Sequence, residues 1–217
     1  MRRYFPESEQ ARLLNAAKAC ADPLAQRDYH WMAALLLTGM RIGEFSRLTV
    51  PQVALALRVG WLVSRPEDCK GKRGNEYAVT MPLRTHLQAL LSLADRQYDG
   101  NGRPEPLVPG RFGGHLTPRS YELRMKHWIR EAGLDERASP HWMRHSRGMN
   151  IVRRSRAQSP GMAMKVAQAA LGHASLKSTG VYLNLSREEL AAELQAVDGG
   201  RLKKRQARAL AEEMGVA

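Results

Sequence analysis

The sequence predicts a mainly α-helical domain that carries a small β-hairpin. Helix-forming Ala, Leu, Arg, Glu and Met dominate the 217 residues, and aromatics make up only 6%. Runs of β-branched residues are few. Two β-like segments, WLVS (61–64) and YAVTM (77–81), flank a Lys/Gly/Asn-rich turn, the pattern of a hairpin. The length is enough to bury a proper core, as one large domain or two small ones.

Taken in order, FPESEQARLLNAAKAC opens a helix, with Pro6 tolerated in its first turn and Glu7 and Glu9 near its positive end. A second helix runs through PLAQRDYHWMAALLLTG and is densely apolar toward its end, hence buried. After a break at Thr38-Gly39-Met40, RIGEFSRL continues as a short helix. The hairpin follows, and helix returns from Leu83 to about Tyr98. DGNGRPEPLVPGRFGGHL reads as a Gly/Pro-rich loop. Thr117 then caps a helix with Pro118 at its first position and Gly133 as its stop. Further helical segments start at His141, Gly161, Ser175 and Ser186, and a basic tail closes the chain. There is no internal repeat and no low-complexity tract.

The charge narrows the function. Thirty-four Lys and Arg face 21 acids, a net +13 spread along the chain, which suggests a polyanionic partner, nucleic acid before an acidic membrane surface. Cys20 and Cys69 are too few for a disulfide framework or a cysteine-based zinc site. The basic start lacks the apolar stretch of a signal peptide, and the longest apolar run, WMAALLL, is too short for a bilayer. A cytoplasmic protein without a membrane span is the expectation.

Three segments can carry chemistry. In TGMRIGE, Arg41 directly follows a buried helix, where a guanidinium needs a partner, and Glu44 three positions on supplies one. A structural ion pair and an arginine held to meet an anion both remain open. In HWMRHSRG, His141 and Arg144 share a helix face. His141 and His145 have metal-pair spacing, yet Trp142 stands where a zinc-protease helix has glutamate and no ligand cluster completes the site. In AQAALGHASLKSTGVYL, His173 precedes Tyr182 by nine positions, and the segment also reads as a DNA-binding helix-turn-helix.

One chemistry uses all of these pieces. Transfer of a DNA phosphodiester to a tyrosine needs bidentate donors on the nonbridging oxygens, which planar guanidinium suits better than ammonium. Preset cations stabilise the charge gained in the transition state. Tyrosine, with a pKa of about 10, needs a base and a positive field, and the leaving 5′-oxygen needs a proton. Two Arg, two His, a Lys and a Tyr meet these needs without a metal or cofactor.

These residues resemble the tyrosine recombinases, or phage-type integrases, from about Phe5 to Leu185. LLLTGMRIGEFSRLTV is similar to the family's first arginine box, SPHWMRHSRG to its His-x-x-Arg box, and LGHASLKSTGVYL to its tyrosine box. The resemblance implies an integrase-type DNA breaking-rejoining catalytic domain over 1–185, followed by a helical basic tail over 186–217. It implies that Arg41, Arg144 and His173 hold the scissile phosphate and that His141 serves as base or phosphate donor. A hairpin lysine, Lys70 in preference to Lys72, would protonate the leaving oxygen, and Tyr182 would be the nucleophile. The implied partners are double-stranded DNA, further copies of the chain in a tetrameric synapse on DNA, and accessory DNA-bending proteins; bound to DNA, the protein would be nucleoid-associated.

Four features depart from the family pattern. The hairpin is long, so Lys70 and Lys72 compete. Extra residues around RRSRAQSPGM separate the second and third boxes, and the tail after Leu185 is long, of a kind that in the family often docks on a neighbouring protomer. The chain begins where the family's catalytic domain begins, so an N-terminal clamp is expected to be missing, as in a fragment or in a naturally short member like the fimbrial DNA-inversion recombinases. Two other functions stay open: a non-catalytic regulator using 171–185 as a helix-turn-helix, and a type IB topoisomerase-like relaxing enzyme.

Overall fold

A computed structural model describes residues 4–69, 74–95, 106–155, 160–171 and 187–199. Within them the chain runs α1 (Glu7–Lys18), α2 (Pro23–Thr38), α3 (Ile42–Phe45), α4 (Val50–Val59), β1 (Trp61–Val63) and β2 (Glu76–Ala78). It continues as α5 (Met81–Asp95), α6 (Pro118–Glu131), α7 (Pro140–Arg154), α8 (Pro160–Ala170) and α9 (Arg187–Gly199). The architecture is mainly helical with one two-stranded antiparallel sheet, as the composition and the hairpin pattern indicated.

The helix ends follow their local chemistry. Asp22 caps α2 by accepting from the Leu24 N–H at 2.6 Å, and Thr117 caps α6 by accepting from the Ser120 N–H at 3.1 Å. Gly39 ends α2 in the left-handed region at φ 67°. Helix α4 is not among the elements expected above, although its start was written in the sequence. Thr49 and Gln52 form a reciprocal capping box, with Pro51 in the first turn.

The hairpin pairs Trp61 with Ala78, Leu62 with Tyr77 and Val63 with Glu76. Its second strand is 76–78, shorter than the expected YAVTM and starting one residue earlier. The strand ends because the Thr80 carbonyl accepts the first helical bond, from the Arg84 N–H at 2.8 Å, and α5 therefore begins two residues before Leu83. At the base of the hairpin, Ser64 and Asn75 close the connection through backbone and hydroxyl hydrogen bonds of 2.9–3.2 Å.

A large apolar core joins α1, α2, α5, α6 and α7 through Phe5, Leu13, Trp31, Leu35, Leu87 and Met143, among others. Inside it lies a buried anion. Asp28 is fully buried and accepts from the indole N–H groups of Trp31 (2.9 Å) and Trp128 (2.8 Å), and from Arg124 Nε on both oxygens (2.7 and 2.6 Å). These bonds tie α2 to α6. A second cluster, with Ile151, Val166, Ala170, Leu194 and Val197, seats α9 on α7 and α8. Polar contacts add to it: Asp198 pairs with the buried Arg147 and accepts from the Thr80 hydroxyl at 2.6 Å, and Gln195 Oε1 accepts from the Met81 N–H at 2.9 Å. Helix α9 thus packs on its own chain.

Between α2 and α5, the Nδ1 atoms of His30 and His86 lie 3.0 Å apart, with Tyr29 against both rings and the Lys18 ammonium over Tyr29. Burial, then His30, then Lys18 lower the His86 pKa from 6.5 to about 4. The folded state thus holds His86 neutral where the unfolded chain protonates it. The stability this contributes is complete above pH 6.5 and is lost as pH falls from there toward about 4. The urea midpoint is expected to drop between pH 7 and pH 5, and to drop less in His86→Gln. Equal slopes for the two proteins would show that the pair does not set this dependence.

Candidate active site

Gly39 is the hinge of the site. A Cβ there would stand 2.5 Å from Leu171 Cδ2 and 3.0 Å from Arg147 Cγ, so only glycine admits the leucine that follows α8 and the arginine from α7. Its left-handed turn also releases the chain from α2 so that Met40 is buried and Arg41 emerges at the start of α3.

Arg41 takes the cap position of α3 and is the half-exposed member of the site, its side chain 33% accessible. Its Nη1 donates to Glu44 Oε1 at 2.9 Å, the i,i+3 pairing read from the sequence. The Glu44 side chain is only 1% accessible and takes two further donors from the hairpin. Tyr77 Oη donates to Oε2 at 2.7 Å, and Asn75 Nδ2 to Oε1 at 3.4 Å.

Arg144 projects from α7 into the same region and is buried. Its Nη1 donates to the Gly39 carbonyl at 2.6 Å and its Nη2 to the Leu171 carbonyl at 2.5 Å. The first-box turn, the second-box helix and the first residue of the third box are therefore tied by one guanidinium. Burial and then Arg41 lower the Arg144 pKa, while Tyr77 and Glu44 oppose them. Arginine stays charged regardless. Two guanidiniums stand near a single carboxylate, which pairs with Arg41 alone, and this leaves a net positive site suited to an anion.

His141 stands exposed in the first turn of α7, one turn before Arg144, with its ring 4.4 Å from that of His145. Among the described residues no group of three or more His, Cys, Asp and Glu forms a metal cluster. Cys69 is buried with Ser64 Oγ 3.0 Å from its sulfur, next to the hairpin turn. Lys70, Lys72, His173 and Tyr182 lie outside the described residues.

The sequence reading missed Tyr77 and Asn75. Their signal was the inward face of the second strand, where a tyrosine alternates with exposed Glu76.

Residues 3–189 match the sequence profile of the phage integrase family. The chain belongs to that family. Among phage integrase relatives, the tyrosine recombinase XerD of Pseudomonas putida is 31% identical over 175 residues, spanning 78% of this chain and 53% of that protein. The tyrosine recombinase XerC of Neisseria gonorrhoeae is 28% identical over 187 residues, spanning 86% of this chain and 56% of that protein. The chain thus covers little more than half the length of these relatives. In fold it is similar to the XerA recombinase, with a TM-score of 0.65 at 20% identity over 99% of this chain and 64% of the other. It is also similar to the lambda integrase catalytic core, with a TM-score of 0.56 at 15% identity over 79% of this chain and 92% of the other. No helix among the described residues is long and apolar enough to cross a membrane.

Proposed function

We propose that this chain performs site-specific recombination of double-stranded DNA through a 3′-phosphotyrosyl intermediate. The observation that carries the reading is the meeting of Arg41 and Arg144, 103 positions apart in sequence, around one buried carboxylate, Glu44.

In the proposed step, Tyr182 Oη attacks the scissile phosphorus, the P–O5′ bond breaks, and the 5′-oxygen leaves with a proton from Lys70. Arg41, Arg144 and His173 hold the nonbridging oxygens, while His141 acts as base or further donor. The new phosphotyrosine is still a diester, so a second 5′-hydroxyl reverses the chemistry without ATP. Further copies of the chain on the same DNA, as a tetrameric synapse with DNA-bending partners, would exchange the strands.

The test uses nicked duplexes tiled across the DNA that flanks the protein's own coding region, incubated with the full chain in EDTA. An SDS-resistant protein–DNA adduct is expected, and peptide mass spectrometry is expected to find the nucleotide on Tyr182. No adduct, an adduct on another residue, or cleavage only when Mg²⁺ or Zn²⁺ is restored would overturn the proposal.

A further inference from the structure

We infer that Tyr77 is a positioning residue for both active-site arginines, acting through its hydroxyl. The inference rests on the recombinase reading above. Nothing in the sequence boxes includes this residue; it arrives from the hairpin, on β2, opposite Leu62.

Its placement is specific. The Glu44 carboxylate has two oxygens and three named donors, and they are divided unequally. Oε1 serves Arg41 (2.9 Å) and Asn75 (3.4 Å), whereas Oε2 serves Tyr77 (2.7 Å). Tyr77 also lies near enough to Arg144 to raise its pKa against the lowering by burial and Arg41. Tyr77 is itself buried, and burial together with Glu44 pushes its phenol well above the usual range, so it remains a neutral donor at any working pH.

The consequence follows from charge. Arg41 and Arg144 compete for one carboxylate in a site of low polarity, where an ion pair is strong. With Oε2 occupied by a neutral O–H, Glu44 is committed to Arg41, and Arg144 keeps its anchors on Gly39 and Leu171. Two of the five N–H groups of Arg144 serve those carbonyls. Without the hydroxyl, Oε2 is a buried acceptor in need of a donor, and Arg144, which already feels the Glu44 charge, is the second cation beside Arg41 that could supply it. An ion pair there would draw the guanidinium off the phosphate and neutralise the charge that the transition state needs. Tyr77 thus keeps the single carboxylate from quenching the second arginine, and it ties β2 to the first box.

The experiment measures single-turnover adduct formation by the full chain and by Tyr77→Phe on the nicked duplex. The duplex carries either a normal scissile phosphodiester or a methylphosphonate, which lacks one charged oxygen. Tyr77→Phe is expected to be about 10- to 100-fold slower on the phosphodiester, the usual worth of a hydrogen bond to a charged group. DNA affinity is expected to stay within about twofold. On the methylphosphonate, where less charge must be balanced, the deficit is expected to shrink to a few-fold. Tyr77→4-aminophenylalanine, which keeps a donor in place, is expected to recover most of the rate; failure to do so would place the effect in packing instead. Wild-type rate for Tyr77→Phe, or an equal deficit on both substrates, would overturn the inference while the wild-type adduct still stands for the recombinase reading. Absence of any wild-type adduct would overturn both.

Discussion

Arg144→Ala is expected to slow formation of the covalent DNA adduct by about 10²- to 10³-fold, the usual cost of removing one preorganised donor from a transition-state site. The structure explains why nothing nearby compensates. Arg41 is committed to Glu44 at 2.9 Å, and the Gly39 and Leu171 carbonyls that orient Arg144 cannot themselves bind an anion. Arg144→Lys should be nearly as slow, because one ammonium cannot span two carbonyls and still present a flat pair of N–H groups to a phosphate. Alanine also leaves those carbonyls unpaired in a buried setting, at about 1–3 kcal/mol each. Rates must therefore be compared on protein shown by urea titration to be folded. Adduct formation by Arg144→Ala within tenfold of the wild-type rate would remove Arg144 from the phosphate site.

What the sequence disclosed divides along the distance over which each signal acts. Cap and stop residues are local, so the start of α6 at Thr117-Pro118 and the end of α2 at Gly39 were readable in place. The Arg41–Glu44 pair is separated by one helical turn and could also be read. The extent of the second strand was overrun because Val79 and Thr80 favour strand by composition, whereas the Thr80 carbonyl already serves α5. Helix α4 was overlooked although its capping box is local, since its exposed Leu55 and Val59 blur the helical period. Contacts between distant segments left no mark. Nothing near Glu44 announces a tyrosine 33 residues away, and nothing near Gly39 announces that its carbonyl will meet a guanidinium 105 residues on. The family resemblance bridged part of that gap, because its boxes bring together segments that spacing alone does not relate.

Asp28 belongs to the same unreadable class, and its replacement is expected to have the largest effect on stability. On sequence it is one acid in a helix beside Arg27, of a kind usually found in water. In the fold it is fully buried, with two indole N–H groups and Arg124 directed at it and Arg27 Nη2 3.5 Å away. Asp28→Ala therefore strands buried donors and cations together and is expected to cost about 3–5 kcal/mol. That is a large share of the roughly 5–15 kcal/mol by which a domain is stable. Asp28→Asn keeps the shape and one acceptor oxygen, so its loss should be smaller but still well above that of a surface change. Urea denaturation at pH 7 measures both. Removing the charges as a set, with Asp28→Leu, Arg124→Met and Arg27→Met combined, should recover part of the loss, because the desolvation cost disappears with the ions. A loss below about 1 kcal/mol for Asp28→Ala, within the range of surface pairs, would mean that the tryptophans and arginines find other partners. The joint between α2 and α6 would then rest on its apolar contacts alone.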